Sequence, residues 1–321
     1  MYDENKQPIW RDIPYITLTF CLRFYEPVEV PEQKVSALRG GLGEMLLRKN
    51  CVQDRNCEAC RFQESCIVWN AFYTPMRLKP DYMTGKESLG YLIECDNQET
   101  FMDAGHGFVF RLKLFGRNIA LFSQYLDAFW QLGQAGIGKS HARFEIAAIV
   151  TEDDEMLLDE DGIYMDRFCV RTVGDYVDAR MREAAAQAEE GAEKGCILHF
   201  RTPLALRKDR IDLEQFDADA IWRAVHRKIQ MMSYFAENPV ELEKPLAWPQ
   251  ILDFRAEKVS VKRYSNTHKR GMELKGIRGA VLMEPLNKER LEELLAGELF
   301  HIGRNNSFDF GRYEVICNSG N

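Results

Sequence analysis

Four cysteines crowd into CVQDRNCEACRFQESC (51–66), as Cys51, Cys57, Cys60 and Cys66. The gap between Cys57 and Cys60 lets two thiolates reach one ion from a single turn, and the flanking pair completes four soft ligands. Tetrahedral zinc suits that set. An iron–sulfur cluster accepts the same four thiolates, and a chance group of buried thiols needs no metal at all. With four protein ligands no coordination position stays open for substrate, so the expected role of any ion is structural.

A second pattern, GQAGIGKS (133–140), satisfies the phosphate-binding motif G-x-x-x-x-G-K-[ST] letter for letter. Its surroundings have the wrong polarity. ALFSQYLDAFWQL before it reads as an amphipathic helix and ARFEIAAIV after it alternates as a strand, whereas a phosphate cradle needs a strand before and a helix N-terminus after. No separate strand ending in Asp lies at a useful distance to hold magnesium. Nucleotide hydrolysis is therefore the weakest reading. A tight helix-to-strand turn built on positive-φ glycines explains the same letters, as does an anion-contacting loop.

Near the carboxyl end, LFHIGRNNSFDFGRYEV (299–315) sets Gly303, Arg304, Asn305, Asn306, Ser307 and Gly311 between a helical pattern and a last strand. Glycines of this kind expose successive amides to phosphate oxygens, while the arginine adds charge and the amides and hydroxyl add hydrogen bonds. The histidines are His106, His141, His199, His226, His268 and His301. His226 follows Trp222 on a helix and reads as a packing or surface residue. His199 lies in a strand, His301 in the last turn of a helix where a cation suits the carbonyl end, and His106, between two glycines, at a strand entry. His141, beside Lys139 and Arg143, and His268, in KRYSNTHKRG, have neighbours suited to phosphate chemistry, more as helpers in binding than as catalysts.

The elements that must position these groups follow from periodicity. IPYITLTFCLRFY (13–25) is rich in β-branched and aromatic residues and predicts a strand. In KVSALRGGLGEMLLRK (34–49), Val35, Leu38, Leu42 and Met45 recur at helical spacing, while Gly40, Gly41 and Gly43 suggest that something approaches the helix closely. GFVFRLKLFG (107–116) predicts a half-buried strand. Acidic TEDDEMLLDEDG (151–162) reads as an exposed connection, and DYVDARMREAAAQAEEGAEKG (175–195) as a solvated helical excursion. Strands at 196–206, 251–265, 275–283 and 310–316 and helices at 218–235 and 287–300 complete the second half. Each half runs roughly β-α-β-β-α-β, the order of a ferredoxin-like fold, and each ends helix, Gly–basic loop, strand. A duplicated module is the natural explanation. The fold class expected is α+β, two tandem ferredoxin-like domains. Their bounds are 1–150 with the cysteine insertion at 51–66, a connection at 151–195, and 196–321 with the glycine-rich loop at 303–311.

Bulk properties leave room for RNA. The formal net charge is −8, yet TEDDEMLLDEDG alone holds seven acids and no bases, and the stretch from Arg255 to Lys288 holds nine Lys or Arg against three acids. Local field decides anion binding more than the total does. Hydrophobic content of 45 % and charged content of 29 % are those of an ordinary globular protein. No apolar run approaches the ~20 residues of a membrane span, and no secretory signal pattern opens the chain, so the expected location is cytoplasmic. In that reducing setting nine cysteines are not a disulfide framework.

ALRGGLGEML, the four cysteines, LKLFG (112–116), the AGIGK loop, FRTPLAL (200–206), RYSNTHKRGMELKGIRG (263–279) and HIGRNNSFDFGRY stand in a recognisable order. That order resembles the CRISPR-associated endoribonucleases of the RAMP superfamily that process the precursor CRISPR transcript (the "Cas six" family), in a branch with a four-cysteine insertion. The resemblance runs from about Ile13 to Ile316. It implies two ferredoxin-like domains and a grip on CRISPR repeat RNA, the glycine-rich loop touching the RNA backbone. It also implies metal-independent cleavage by 2′-hydroxyl attack, leaving a 2′,3′-cyclic phosphate and a 5′-hydroxyl. Many relatives place a histidine in or just after the first helix. Here no histidine lies between Met1 and Gly105. The expected substitutes are Lys49, named first, with Arg48 and Arg39, or else His141 or His268 from another element, with Tyr25 positioning the hydroxyl. Gly303, Arg304, Asn305, Asn306, Ser307, Gly311, Arg312, Lys139, Arg143, Lys269 and Arg270 form the expected RNA-contacting set. Asp309 stands where a glycine is usual, and its carboxylate would repel phosphate unless it faced a neighbour such as Arg312. Other CRISPR effector subunits and a second copy of the chain are the further partners expected. A noncatalytic RAMP subunit of an effector complex is the alternative function.

Overall fold

The computed structural model describes residues 8–76, 78–83, 88–186, 195–242, 245–265 and 270–317. It divides the chain into two compact units, Pro14–Arg171 and Met1–Ile13 with Thr172–Asn321.

The first unit is organised on β1 (Pro14–Phe24), whose Ile16, Leu18, Phe20, Leu22 and Phe24 are buried. Alternation along a pleated strand sends every second residue to one face, and that face becomes the core. Next come α1 (Lys34–Asn50), α2 (Ile67–Phe72), β2 (Tyr91–Glu94), β3 (Val109–Phe115), α3 (Phe122–Ala135), β4 (Phe144–Thr151), β5 (Met156–Asp159) and β6 (Gly162–Ile163). The sheet order is β2-β3-β1-β4-β5-β6. Antiparallel pairing on both sides of β1 (Leu18↔Leu112 and Phe20↔Ile149) makes it the central strand. The first four strands thus lie in the order 2-3-1-4 of a ferredoxin-like module, with α1 and α3 as its crossovers. Helix α1 buries Val35, Leu38, Leu42, Met45 and Leu46. At Gly41 a Cβ would sit 2.4 Å from Leu132 of α3, so the glycine is required by the close approach of the two helices. Phe110 stacks on Phe20 at 4.8 Å and leans on Phe129 at 5.0 Å, joining sheet to helix.

The acidic stretch is not the exposed connection expected. Its Leu157 and Leu158 are buried in β5, and β5 and β6 extend the first sheet, leaving Glu152–Glu155 to the turn. The apolar pair among the acids outweighed their charge.

The division falls at Arg171/Thr172 rather than at 150 and 195. Helix α4 (Val173–Ala186) belongs to the second unit, where Val173 and Val177 are fully buried and Arg180 pairs with Glu298 at 2.9 Å. Further along run β7 (Cys196–Leu204), α5 (Ala218–Phe235), β8 (Ile251–Ser265), β9 (Arg270–Met283), α6 (Lys288–Phe300) and β10 (Tyr313–Cys317). The sheet order is β8-β9-β7-β10, again 2-3-1-4. Asp217 and Asn287 cap α5 and α6, accepting from the amides of Ala220 (2.8 Å) and Arg290 (2.9 Å). Residues 8–13 also pack in this unit, where buried Arg11 reaches Asp178 at 2.5 Å and Glu292 at 3.2 Å. Past the Leu204↔Ile277 pair, β8 and β9 continue without β7 as a two-stranded ribbon to Ser265↔Arg270. No helix among the described residues is long and apolar enough to cross a membrane.

Candidate nucleic-acid interface

Antiparallel order in the first unit brings three chain segments to the end of β1. The Phe24 amide donates to the His106 carbonyl at 2.9 Å, and the Tyr25 amide to the Arg143 carbonyl at 3.5 Å. Between α3 and β4, GQAGIGKS makes the tight turn: Ile137 and Ala142 exchange two backbone hydrogen bonds of 3.0 Å, with Gly136 and Gly138 at φ 80° and 70°. A Cβ on Gly136 would meet the His141 carbonyl oxygen at 2.2 Å, so only glycine closes the turn. Helix precedes and strand follows, as the sequence indicated, and the phosphate-cradle reading is excluded by that polarity. Tyr25, His106, Lys139, His141 and Arg143 are all exposed at this end.

Lys49 and Arg48 do not join them. Lys34 begins α1 and Lys49 lies fifteen residues on, about 22 Å along the axis at 1.5 Å per residue. There Lys49 pairs with Asp127 at 2.7 Å, while Arg48 and Arg55 reach Glu44 at 2.8 and 3.0 Å. Burial acts to raise the Glu44 carboxyl, and the hydrogen bonds from Arg48 and Arg55 overcome it and hold that group below its ordinary range. Arg39, in mid-helix, lies over the Phe72 ring at 5.4 Å. Ser140 Oγ donates to the Glu29 carbonyl at 2.6 Å, which sets the segment leading into α1 beside the turn, so Lys49 and Arg48 are separated from His141 by the length of α1 and Arg39 lies part-way along it. His268 and Lys269 lie outside the described residues, and Arg270 opens β9.

The carboxyl-terminal loop repeats the helix-to-strand position in the second unit, between α6 and β10. His301, Gly303, Asn305, Asp309 and Gly311 all have positive φ, from 56° to 78°. A Cβ on Gly311 would fall 1.8 Å from the Ile302 carbonyl oxygen, and the Gly311 amide donates to Pro203 at 2.9 Å. Asn306 is buried and works inward. Its Nδ2 donates to the Ile302 and Phe310 carbonyls, each at 2.9 Å, and its Oδ1 accepts from Lys228 at 2.6 Å. The amides of Gly303, Asn305, Asn306 and Ser307 are left without a backbone carbonyl among the described residues. Arg304 is half exposed, 3.3 Å from Asp212. A hydrogen bond from Arg207 holds the Asp212 carboxyl below its ordinary range, and Arg304 adds to that.

Asp309 does face Arg312, at 3.2 Å, with His301 Nδ1 3.9 Å away and all three side chains buried. Its charge is thus spent inside the loop. His226 is likewise internal, 3.0 Å from Glu293 and edge-on to Trp248. Sequence reasoning missed three residues here: His106, whose place follows only from the sheet order, Lys228 on α5, and Arg263 on β8, whose guanidinium lies over Phe308.

The four cysteines sit between α1 and α2. Cys51 caps α1, Cys57 and Cys60 bracket one 3-10 turn, and Cys66 precedes α2. The Gln63 side chain donates to the Cys57 and Glu58 carbonyls at 2.7 and 2.9 Å, and the Phe62 amide to Cys60 Sγ at 3.4 Å. Burial first, then the charges of Cys66, Cys51 and Cys60, push the Cys57 thiol up, so the four share one neighbourhood. Among the described residues no group of three or more His, Cys, Asp or Glu is already drawn together as a metal centre.

Each of the two ferredoxin-like modules carries a glycine turn after its last helix, with Lys139 and Arg143 exposed beside it in the first and Arg304 in the second. The family comparisons are specific. A model described as an N-terminal domain matches residues 13–169, and the model of the CRISPR-associated endoribonuclease Cas6 matches residues 198–313. Over residues 198–313 the chain is thus similar to the Cas6 family. In fold it is similar to a chain of a partial Cas6-RT-Cas1–Cas2 complex (8 % identity, 95 % of this chain and 46 % of that one, TM-score 0.57). It is also similar to a chain of a Cas6-RT-Cas1–Cas2 complex (8 %, 95 % and 29 %, TM-score 0.57) and to a Cas6 product complex (12 %, 95 % and 99 %, TM-score 0.51). It spans less than half the length of the first two. No curated protein matches the chain.

Proposed function

We propose that this chain binds the repeat of a CRISPR transcript and cuts it by attack of a ribose 2′-hydroxyl on the adjacent phosphorus. The 2′-oxygen–phosphorus bond forms, the bond to the 5′-oxygen breaks, and the products are a 2′,3′-cyclic phosphate and a 5′-hydroxyl. The reaction needs a base at the 2′-oxygen, an acid at the 5′-oxygen and cations for the developing charge, and no metal ion. The observation that carries the reading is the exposed group at the end of β1, where two imidazoles, a phenol and two cations come from three segments. Imidazole gives and takes protons near neutral pH. His141 and His106 take the acid–base work, Tyr25 orients the hydroxyl, and Lys139 and Arg143 balance charge. In the second unit, Gly303, Arg304 and Ser307 contact the RNA backbone, while Asn306, Asp309 and Arg312 hold the loop that presents them.

Incubating the protein with its repeat RNA in EDTA tests this. A shorter product ending in a cyclic phosphate is expected; tight binding without a cut would instead identify a noncatalytic RNA-binding subunit. Other CRISPR proteins are the second class of partner, supported by the fold shared with chains of Cas6-RT-Cas1–Cas2 assemblies.

Cys51, Cys57, Cys60 and Cys66 would hold a structural zinc ion, four thiolates being the donor set it favours. Its contribution is to fold the segment between α1 and α2, outside the chemistry.

A further inference from the structure

Two cysteines that the proposed reaction does not use face each other in the second unit. Cys196 is the first residue of β7 and Cys317 the last of β10, and the antiparallel register sets them directly opposite. Their Sγ atoms are 3.2 Å apart and both residues are buried. Residues opposite each other on antiparallel strands have Cα atoms about 4.5–5.5 Å apart, inside the range a disulfide spans without moving backbone. The mutual hydrogen bond, and then burial, hold the Cys196 thiol well above its ordinary value.

We infer that Cys196 and Cys317 form a reversible dithiol–disulfide clamp tying the first strand of this unit to its last. The two cysteines are 121 positions apart, so the bond would close a loop containing α5, the β8–β9 ribbon, α6 and the glycine-rich turn. Closing so long a loop removes much of the freedom of the unfolded chain. It would also stop β10 fraying from its far end, and β10 is the strand that receives the chain from Arg312.

With hydrogen peroxide as the oxidant, one thiol gives up its proton as its sulfur attacks a peroxide oxygen, becoming a sulfenic acid while the other oxygen leaves as water. The second sulfur attacks the first and water departs. Two thiols give up two electrons and two protons, and the peroxide becomes two waters. A dithiol reductant reverses the bond by exchange.

The test uses the full chain, reduced, then treated with hydrogen peroxide, alkylated and mapped by mass spectrometry. The peptides holding Cys196 and Cys317 are expected linked, about 2 Da lighter than their sum, with the thermal midpoint raised by about 5–10 °C and returned by dithiothreitol. Cys196→Ser and Cys317→Ser should lose both effects, with Cys196→Val the substitute if the serine variant does not fold. The mapping separates this bond from oxidation among Cys51, Cys57, Cys60 and Cys66. Absence of the linked peptide after exhaustive oxidation would overturn the bond; a linked peptide with an unmoved midpoint would overturn the clamp.

Discussion

The guanidinium of Arg263 lies 4.0 Å from the centre of the Phe308 ring. Phe308 is in the glycine-rich loop and Arg263 in the ribbon of β8 and β9, so one cation–π contact pins the loop to the hairpin. Such contacts contribute roughly 0.5–2 kcal/mol. Arg263→Ala should weaken repeat RNA binding about 2- to 30-fold, measured by filter binding. Phe308→Leu should do the same, and the double variant should lose little more than either single one.

Arg304→Ala should lower the slope of log K against log salt by about one unit, since each released phosphate contact frees about one counterion. Asp212, 3.3 Å away, partly neutralises Arg304 in the free protein, so Asp212→Asn should strengthen binding. An unchanged slope would remove Arg304 from the RNA contacts.

Asn306→Ala removes a buried amide that joins both limbs of the loop and receives the Lys228 ammonium. Unpaired buried groups cost about 1–3 kcal/mol each. Urea melts should show a loss of that order or larger. RNA affinity should fall with its salt slope unchanged, the reverse of the Arg304 result.

Single-turnover cleavage separates the two ends of α1. His141→Ala or His106→Ala should slow the chemical step by about 10²–10⁴-fold, the usual range for a lost acid or base. Lys49→Ala, which removes the ion pair with Asp127 at the opposite end, should leave it within a few-fold. The opposite ranking would move the chemistry to Lys49.

Purified protein should carry near-stoichiometric zinc by elemental analysis, lost on Cys57→Ser with Cys60→Ser. Visible absorbance of an iron–sulfur chromophore after anaerobic purification would assign the other metal.

Much of the fold was legible because period and position agreed: the alternation of 13–25 became β1, and the stripe Val35, Leu38, Leu42, Met45 became the buried face of α1. β2 was missed because YLIE (91–94) is short and buried throughout, leaving no alternation to read. The acidic 151–162 stretch misled because charge at the turns hid two buried leucines between them. The glycine-rich loop was found from composition, but the division of its residues into inward and outward was not. Asn305 and Asn306 are the same residue type, and only the folded loop, which sets the Ile302 and Phe310 carbonyls and Lys228 around the second, makes it a brace. His106 was passed over because its importance lies in a neighbour eighty positions earlier, a relation that strand order alone creates.

Gly303 and Gly311 have a consequence for anyone wishing to retarget this protein. A side chain at Gly311 would collide with the Ile302 carbonyl, and one at Gly303 would press on the Ala205 carbonyl at 2.8 Å, both from a backbone that disfavours other residues. Positions 304 and 307 carry no such restriction. A randomised library that spares the two glycines and Asn306 while varying Arg304 and Ser307 would sample new RNA preferences on a fixed chassis.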